Sequence, residues 1–129
     1  MKIKNILIGI KSPEQGLREF ANAFRNAQRG KISRKRQEGV YFTNLEAMRK
    51  VLTPKRIELL HIIRDKKPHS VYELTQIVKR DLKNVQDDVA LLARIGLLSL
   101  SRAKQARERV VPRVDYNNIQ LQIPVHYGI

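Results

Sequence analysis

The chain has no cysteine, and that absence removes two classes of small protein together. No disulfide framework can staple the fold, and no thiolate can hold a metal. Histidine is scarce as well. His61, His69 and His126 are the only imidazoles, and their spacing matches no zinc signature, so no cofactor is expected. Aromatics stop at four tyrosines and three phenylalanines, a thin supply for a protein that stacks unpaired bases. No apolar run approaches the roughly 18 residues of a membrane span. The first ten residues carry Lys2, Lys4 and Asn5 and lack the long apolar region and cleavage site of a secretion signal. The cytoplasm is the expected compartment, with no membrane partner.

Acidic residues are the other shortage. Twelve Asp and Glu face 26 Lys and Arg, which leaves a net charge of +14 on 129 residues. Such a balance favours a polyanionic partner, whether DNA, RNA or an anionic surface, and the motifs must choose among them. At 42% hydrophobic and 29% charged residues the composition is that of a globular chain. No acid–base pair, nucleophile elbow, phosphate-binding glycine loop or metal cluster is present, so the chain does not read as an enzyme. His61 falls on an apolar helix pattern and reads as a packed or boundary residue.

Local patterns predict the elements. Lys2–Ile10 is isoleucine-rich and bounded by Gly9 and Ser12-Pro13, which reads as a strand. Ser12 caps a helix that has Pro13 in first position, Gln15 completing a capping box and Gly30 as its stop. Leu17, Phe20, Ala21, Phe24 and Ala27 share one face of it. Arg29–Arg36 is basic without an apolar period, so it is a loop: either a phosphate-contacting arm through Lys31, Arg34, Lys35 and Arg36, or a solvated linker. Tyr41-Phe42 reads as a short strand. Thr43 opens a short helix to about Leu52, and Thr53-Pro54 a longer one carrying Ile57, Leu59, Leu60, Ile62 and Ile63 that ends before Pro68. Ser70 and Asp81 cap two further helices, the second stopped by Gly96. Beyond it, Leu97–Ser101 and Arg109–Tyr116 read as a hairpin, with Pro112 confining the second strand to an edge or bulge. Asn117-Asn118 marks a turn, and Ile119, Leu121, Ile123 and Val125 alternate like a half-buried strand.

Three helices, a tight turn and a hairpin follow the order of a winged helix-turn-helix. The expected fold is therefore α+β and mainly α. Residues 1–39 form a strand–helix extension with a basic linker, and residues 40–129 the DNA-binding domain with its C-terminal strand. If Val71, Leu74 and Val78 of one helix pack on Val85, Val89 and Leu92 of the next, then Lys83, Asn84, Gln86, Asp87 and Arg94 face outward. Asn and Gln can pair bidentately with adenine, Lys can reach guanine or phosphate, and Asp87 can accept from cytosine N4. Taken singly these are ordinary solvent-facing residues; together, on the second helix of this motif in a basic chain, they read as a DNA contact. Asp88 is expected to turn back toward Arg80 or Lys79. Ser70 and Tyr72 on the flank of the motif, and Lys79 and Arg80 in its turn, are further DNA-binding candidates. Arg102, Lys104, Arg107 and Arg109 surround the hairpin tip, either as a DNA-contacting wing or as a solvated loop.

The stretch Val51–Leu98 resembles the winged-helix transcriptional regulators of bacteria and archaea that are close to the multiple-antibiotic-resistance-regulator group. The matching residues are Leu52-Thr53-Pro54, Glu58-Leu59-Leu60, Ser70, Glu73-Leu74, Arg80-Asp81, Lys83-Asn84-Val85, Asp88-Val89 and Gly96-Leu97-Leu98. The chain departs from that pattern at Thr75, where alanine is usual, and at Lys79, where glycine is usual; the second implies a turn closed without a left-handed residue. The resemblance implies a double-stranded DNA partner. One such motif offers few base contacts, so a homodimer is expected, and the Met1–Ile10 strand, the Ser12–Arg29 helix and the Ile119–Val125 strand, which lie outside the motif's minimal needs, either serve its dimerisation or simply extend the core of one subunit. Some such regulators resemble antitoxins encoded beside a toxin, which makes a protein toxin the alternative partner. RNA or ribosome binding is allowed by charge but unsupported by any RNP-like or GXXG pattern.

Overall fold

A computed structural model describes residues 4–30, 39–104 and 108–125. Their fold is α+β. In chain order the elements are β1 (Asn5–Ile10), α1 (Pro13–Gln28), β2 (Gly39–Phe42), α2 (Leu45–Val51), α3 (Pro54–Lys66), α4 (Val71–Val78), α5 (Leu82–Arg94), β3 (Ser99–Lys104), β4 (Glu108–Arg113) and β5 (Asn118–Gln122). No helix among the described residues is long and apolar enough to cross a membrane. The chain divides into two compact units, one centred on Leu52–Asn117, the other on Asn5–Val51 with the chain from Asn118 on.

That division differs from the expected boundary after residue 39. Residues 40–51 and the last strand belong with the N-terminal elements, because β5 pairs in parallel with β1, as β2 does on the other side. The strand order is β2-β1-β5. In register, Ile6 lies opposite Ile119, Ile8 opposite Val40 and Leu121, and Ile10 opposite Phe42. Side chains at these paired positions share a face. On the opposite face Gly9 makes room for an aromatic ring: a methyl there would lie 3.1 Å from Tyr41 Cδ1 and Cε1. The Lys11 ammonium sits 3.8 Å above the centre of the same ring and pairs with Glu19.

The outer strand departs from expectation. Only Asn118–Gln122 pair, and Leu121, Ile123 and Val125 are exposed instead of half-buried. β5 is a sheet edge, so alternation alone does not bring it a covering layer. Helix α1 forms as expected, with Ser12 Oγ accepting from Gln15 N at 3.1 Å and Gly30 closing it at φ +74°. None of its residues is buried. The α2 cap is Asn44, not Thr43: its Oδ1 accepts from Ala47 N at 2.7 Å. Thr and Asn cap through the same bond to an N–H two or three residues on, and Asn is the stronger of the two, so the boundary shifts by one.

In the other unit three helices carry side-chain caps. Thr53 accepts from Arg56 N at 3.3 Å, Ser70 from Glu73 N at 3.0 Å, and Asp81 from Asn84 N at 3.4 Å. Each satisfies an amide that the helix geometry leaves without a partner, a contribution of about 1 kcal/mol. Leu59, Leu60 and Ile63 of α3, Val71 and Leu74 of α4, and Val85, Val89 and Leu92 of α5 are buried, with Leu97, Leu98 and Val114 from the chain around the hairpin. Each such side chain contributes roughly 1.5–3 kcal/mol by leaving water, which fixes the helices against one another. β3 and β4 pair antiparallel, with Pro112 buried opposite Leu100. His61 is exposed, not packed, and lies 3.2 Å from Asp65 one helical turn on.

Candidate nucleic-acid interface

The turn between α4 and α5 is Lys79-Arg80-Asp81, and its geometry corrects an expectation. Lys79 is left-handed at φ 55° and ψ 49°, the conformation glycine usually supplies. Its N–H and that of Arg80 both reach Thr75 O, so two carbonyl–amide bonds closing α4 hold Lys79 in a conformation that costs about 1 kcal/mol. Thr75 itself is buried and donates its hydroxyl to Tyr72 O. It therefore packs in a site where a smaller residue would also fit.

Arg80 turns inward. Its Nη2 donates to Asp88 Oδ2 at 2.7 Å, while Arg56 Nε of α3 donates to Asp88 Oδ1 at 3.0 Å. Asp88 thus ties the turn and α3 to the middle of α5. Burial pushes its carboxyl pKa up, but the hydrogen bonds and charges of Arg80 and Arg56 outweigh that and hold it below its ordinary value. Arg80 Nη1 is buried without a hydrogen bond among the described residues. Arg80 consequently braces the turn through Asp88. The expected turn of Asp88 toward Arg80 occurs; Arg56, 32 positions away, was not foreseen.

The outward face of α5 carries what the sequence placed there. Lys83, Asn84, Gln86, Asp87 and Arg94 are all exposed. Lys83, Asp87 and Arg94 fall on the line opposite Val85, Val89 and Leu92, and Asn84 and Gln86 stand on its two shoulders. Arg94 lies ten residues beyond Asn84, about 15 Å along the axis, so it is not gathered with the cluster in the first turns. Tyr72 in the first turn of α4 and Lys79 at its C-terminal cap are exposed, and Ser70 is half-buried with its oxygen occupied as a cap.

The hairpin follows α5 directly. Arg102 on β3 and Arg109 on β4 are exposed and are paired across the two strands, Arg102 with Val110 and Arg109 with Ala103. The backbone of Lys104 ends β3. Arg107 and the run Lys31, Arg34, Lys35 and Arg36 lie outside the described residues. At the base of the hairpin Tyr116 donates its hydroxyl to Leu97 O at 2.7 Å, and burial pushes its pKa up to about 12. Arg64 of α3 donates to Val114 O at 3.1 Å and to Asn117 Oδ1. These bonds anchor the strand leaving the hairpin to the helices.

A family model, HVO_A0114, matches residues 51–121, more than half the chain, which takes in α3, α4, α5, the β3–β4 hairpin and most of β5. The chain belongs to the HVO_A0114 family. No curated protein and no solved structure matches it. The family description carries no activity, so the functional reading rests on the geometry above.

Proposed function

We propose that the protein is a sequence-specific, double-stranded DNA-binding transcriptional regulator that acts through a winged helix-turn-helix. α4 and α5 are the paired helices, α5 enters the major groove, and the β3–β4 hairpin is the wing. One observation carries this reading. A single helix, capped at Asp81 and braced at Asp88, buries an apolar stripe and turns Lys83, Asn84, Gln86 and Asp87 outward from its first two turns. Lys, Asn and Gln are side chains that read base edges, and a helix of this diameter fits the major groove. Exposed Lys79, Arg102 and Arg109, with the net charge of +14, supply phosphate contacts on either side.

A single motif offers few base contacts, so a homodimer reading two half-sites about one helical turn apart is part of the proposal. The direct test is competition for a labelled duplex by unlabelled duplex DNA and by RNA at two salt concentrations. DNA alone should compete effectively, and affinity should fall steeply with salt. Equal competition by RNA would sink the reading.

A second reading draws on β5. Among the described residues this edge strand pairs on one side alone and exposes Leu121, which suits addition of a partner's strand. A regulator that also masks a toxin would use such an edge. A small toxin-like reading frame beside the gene would favour that reading.

A further inference from the structure

Helix α1 carries an apolar stripe that stays exposed among the described residues. Leu17 and Phe20 are 70% exposed and Phe24 is 58% exposed, although they recur at helical spacing on one side of a regular, capped, 16-residue helix. Helices α4 and α5 bury their stripes, so α1 is the exception in this molecule.

The charges of the helix are segregated along its length. Glu14 and Glu19 stand in the first half with Arg18, whereas Arg25 and Arg29 stand in the second half and at the cap with no acid. Two parallel copies would set basic half against basic half. Glu19 is already paired with Lys11 and Arg18 lies beside it, so the contrast is between the two ends: two antiparallel copies set the Glu14 end of each helix against the Arg25 end of the other, and oppose the helix dipoles as well. Gly16 has nothing within 4 Å of where a side chain would begin, and Ala21 and Ala23 are short, so two such helices can approach closely beside the stripe.

We propose that α1 pairs antiparallel with α1 of a second copy of this chain, through Leu17, Phe20 and Phe24. The proposal deepens the DNA-binding reading by naming its dimer surface, and rests on that reading only for what the pair is used for. The size of the surface sets the strength. Three such side chains at these exposures offer about 350 Å² per copy, well short of the roughly 800 Å² per partner of a stable interface. The pairing is therefore concentration-dependent and reversible, and is reinforced when both copies hold one DNA site.

Sedimentation equilibrium of the full chain without DNA tests it. The mass should rise from 15.0 kDa toward twice that value between micromolar and near-millimolar concentration. The double variant Leu17→Glu, Phe24→Glu should stay at the monomer mass with unchanged circular dichroism, because neither residue is buried in the single chain. A cysteine-free chain permits a second measurement that needs no disruptive change. Ala21→Cys, near the middle of the helix, should form a disulfide-linked dimer under mild oxidation, and Glu14→Cys alone should not. A monomer at every concentration, a dimer indifferent to Leu17→Glu and Phe24→Glu, or ready cross-linking of Glu14→Cys would each overturn the proposal. A dimer that does not bind duplex DNA would instead sink the DNA-binding reading and leave this one standing.

Discussion

Arg80 Nη2 and Asp88 Oδ2 lie 2.7 Å apart, across the turn that joins α4 to α5. With Arg56 on the other carboxylate oxygen at 3.0 Å, this fixes the direction from which α5 presents its exposed face. The guanidinium that the sequence offered as a DNA contact also supports the residues beside it.

Removing the shared carboxylate should therefore be costly. Asp88→Asn leaves two partly buried guanidinium groups without their anion, and should lower stability by about 2–3 kcal/mol. Urea unfolding measures this directly. Arg80→Ala and Arg56→Ala should each cost less, and their sum should differ from the double variant because both act on one group.

The same carboxylate sets an acid limit. Its pKa is lower in the folded chain than in the unfolded one, so the ion pairs stabilise fully above the unfolded value of about 4 and are lost as pH falls through the folded value. Thermal midpoints measured downward from pH 5 should fall faster for the wild type than for Asp88→Asn. Equal slopes would mean that the carboxylate is not held in its charged form.

At the alkaline end the sign reverses. The folded pKa of Tyr116 is raised to about 12 by burial, above the unfolded value near 10. Stability is fully present below pH 10 and falls as pH rises toward 12, because the unfolded chain loses its proton first. Tyr116→Phe should flatten that decline while losing the bond to Leu97 O, a cost of about 1 kcal/mol at neutral pH. Denaturant midpoints of the two proteins across this range make the comparison.

Lys79 separates stability from binding. Its left-handed backbone favours glycine, so Lys79→Gly should raise stability by about 0.5–1 kcal/mol. The same change removes an exposed cation beside α5, and should weaken binding to every duplex while flattening the salt dependence by about one unit.

The parts of this fold that were legible in the sequence are the local ones. Ser12, Thr53, Ser70 and Asp81 announce their helices because each bonds an amide three residues ahead, within a distance the chain itself fixes. The stripe of Val85, Val89 and Leu92, and with it the outward set on α5, follows from helical period alone. What was not legible is non-local. The bond from Arg56 to Asp88 spans 32 positions, and the register of Asn5 with Asn118 spans most of the chain. Nothing in an alternating pattern such as Ile119, Leu121 and Ile123 says which strand it joins or whether its face is covered. The period of Leu17, Phe20 and Phe24 likewise declares a face that needs a neighbour without saying whose. Lys79 fails for a different reason: residue type suggested a right-handed turn, and the closing bonds to Thr75 O override that local preference.

The central claim is that α5 reads base edges, and selection of fragments from a random duplex pool tests it most directly. Wild-type protein should enrich a recurrent motif, and a two-half-site palindrome if the dimer operates on DNA. Asn84→Ala and Gln86→Ala should each relax that motif at particular positions, at roughly 1–3 kcal/mol per lost bidentate contact, without abolishing binding. A pool with no enriched motif, or the same motif at the same strength from both variants, would contradict the account.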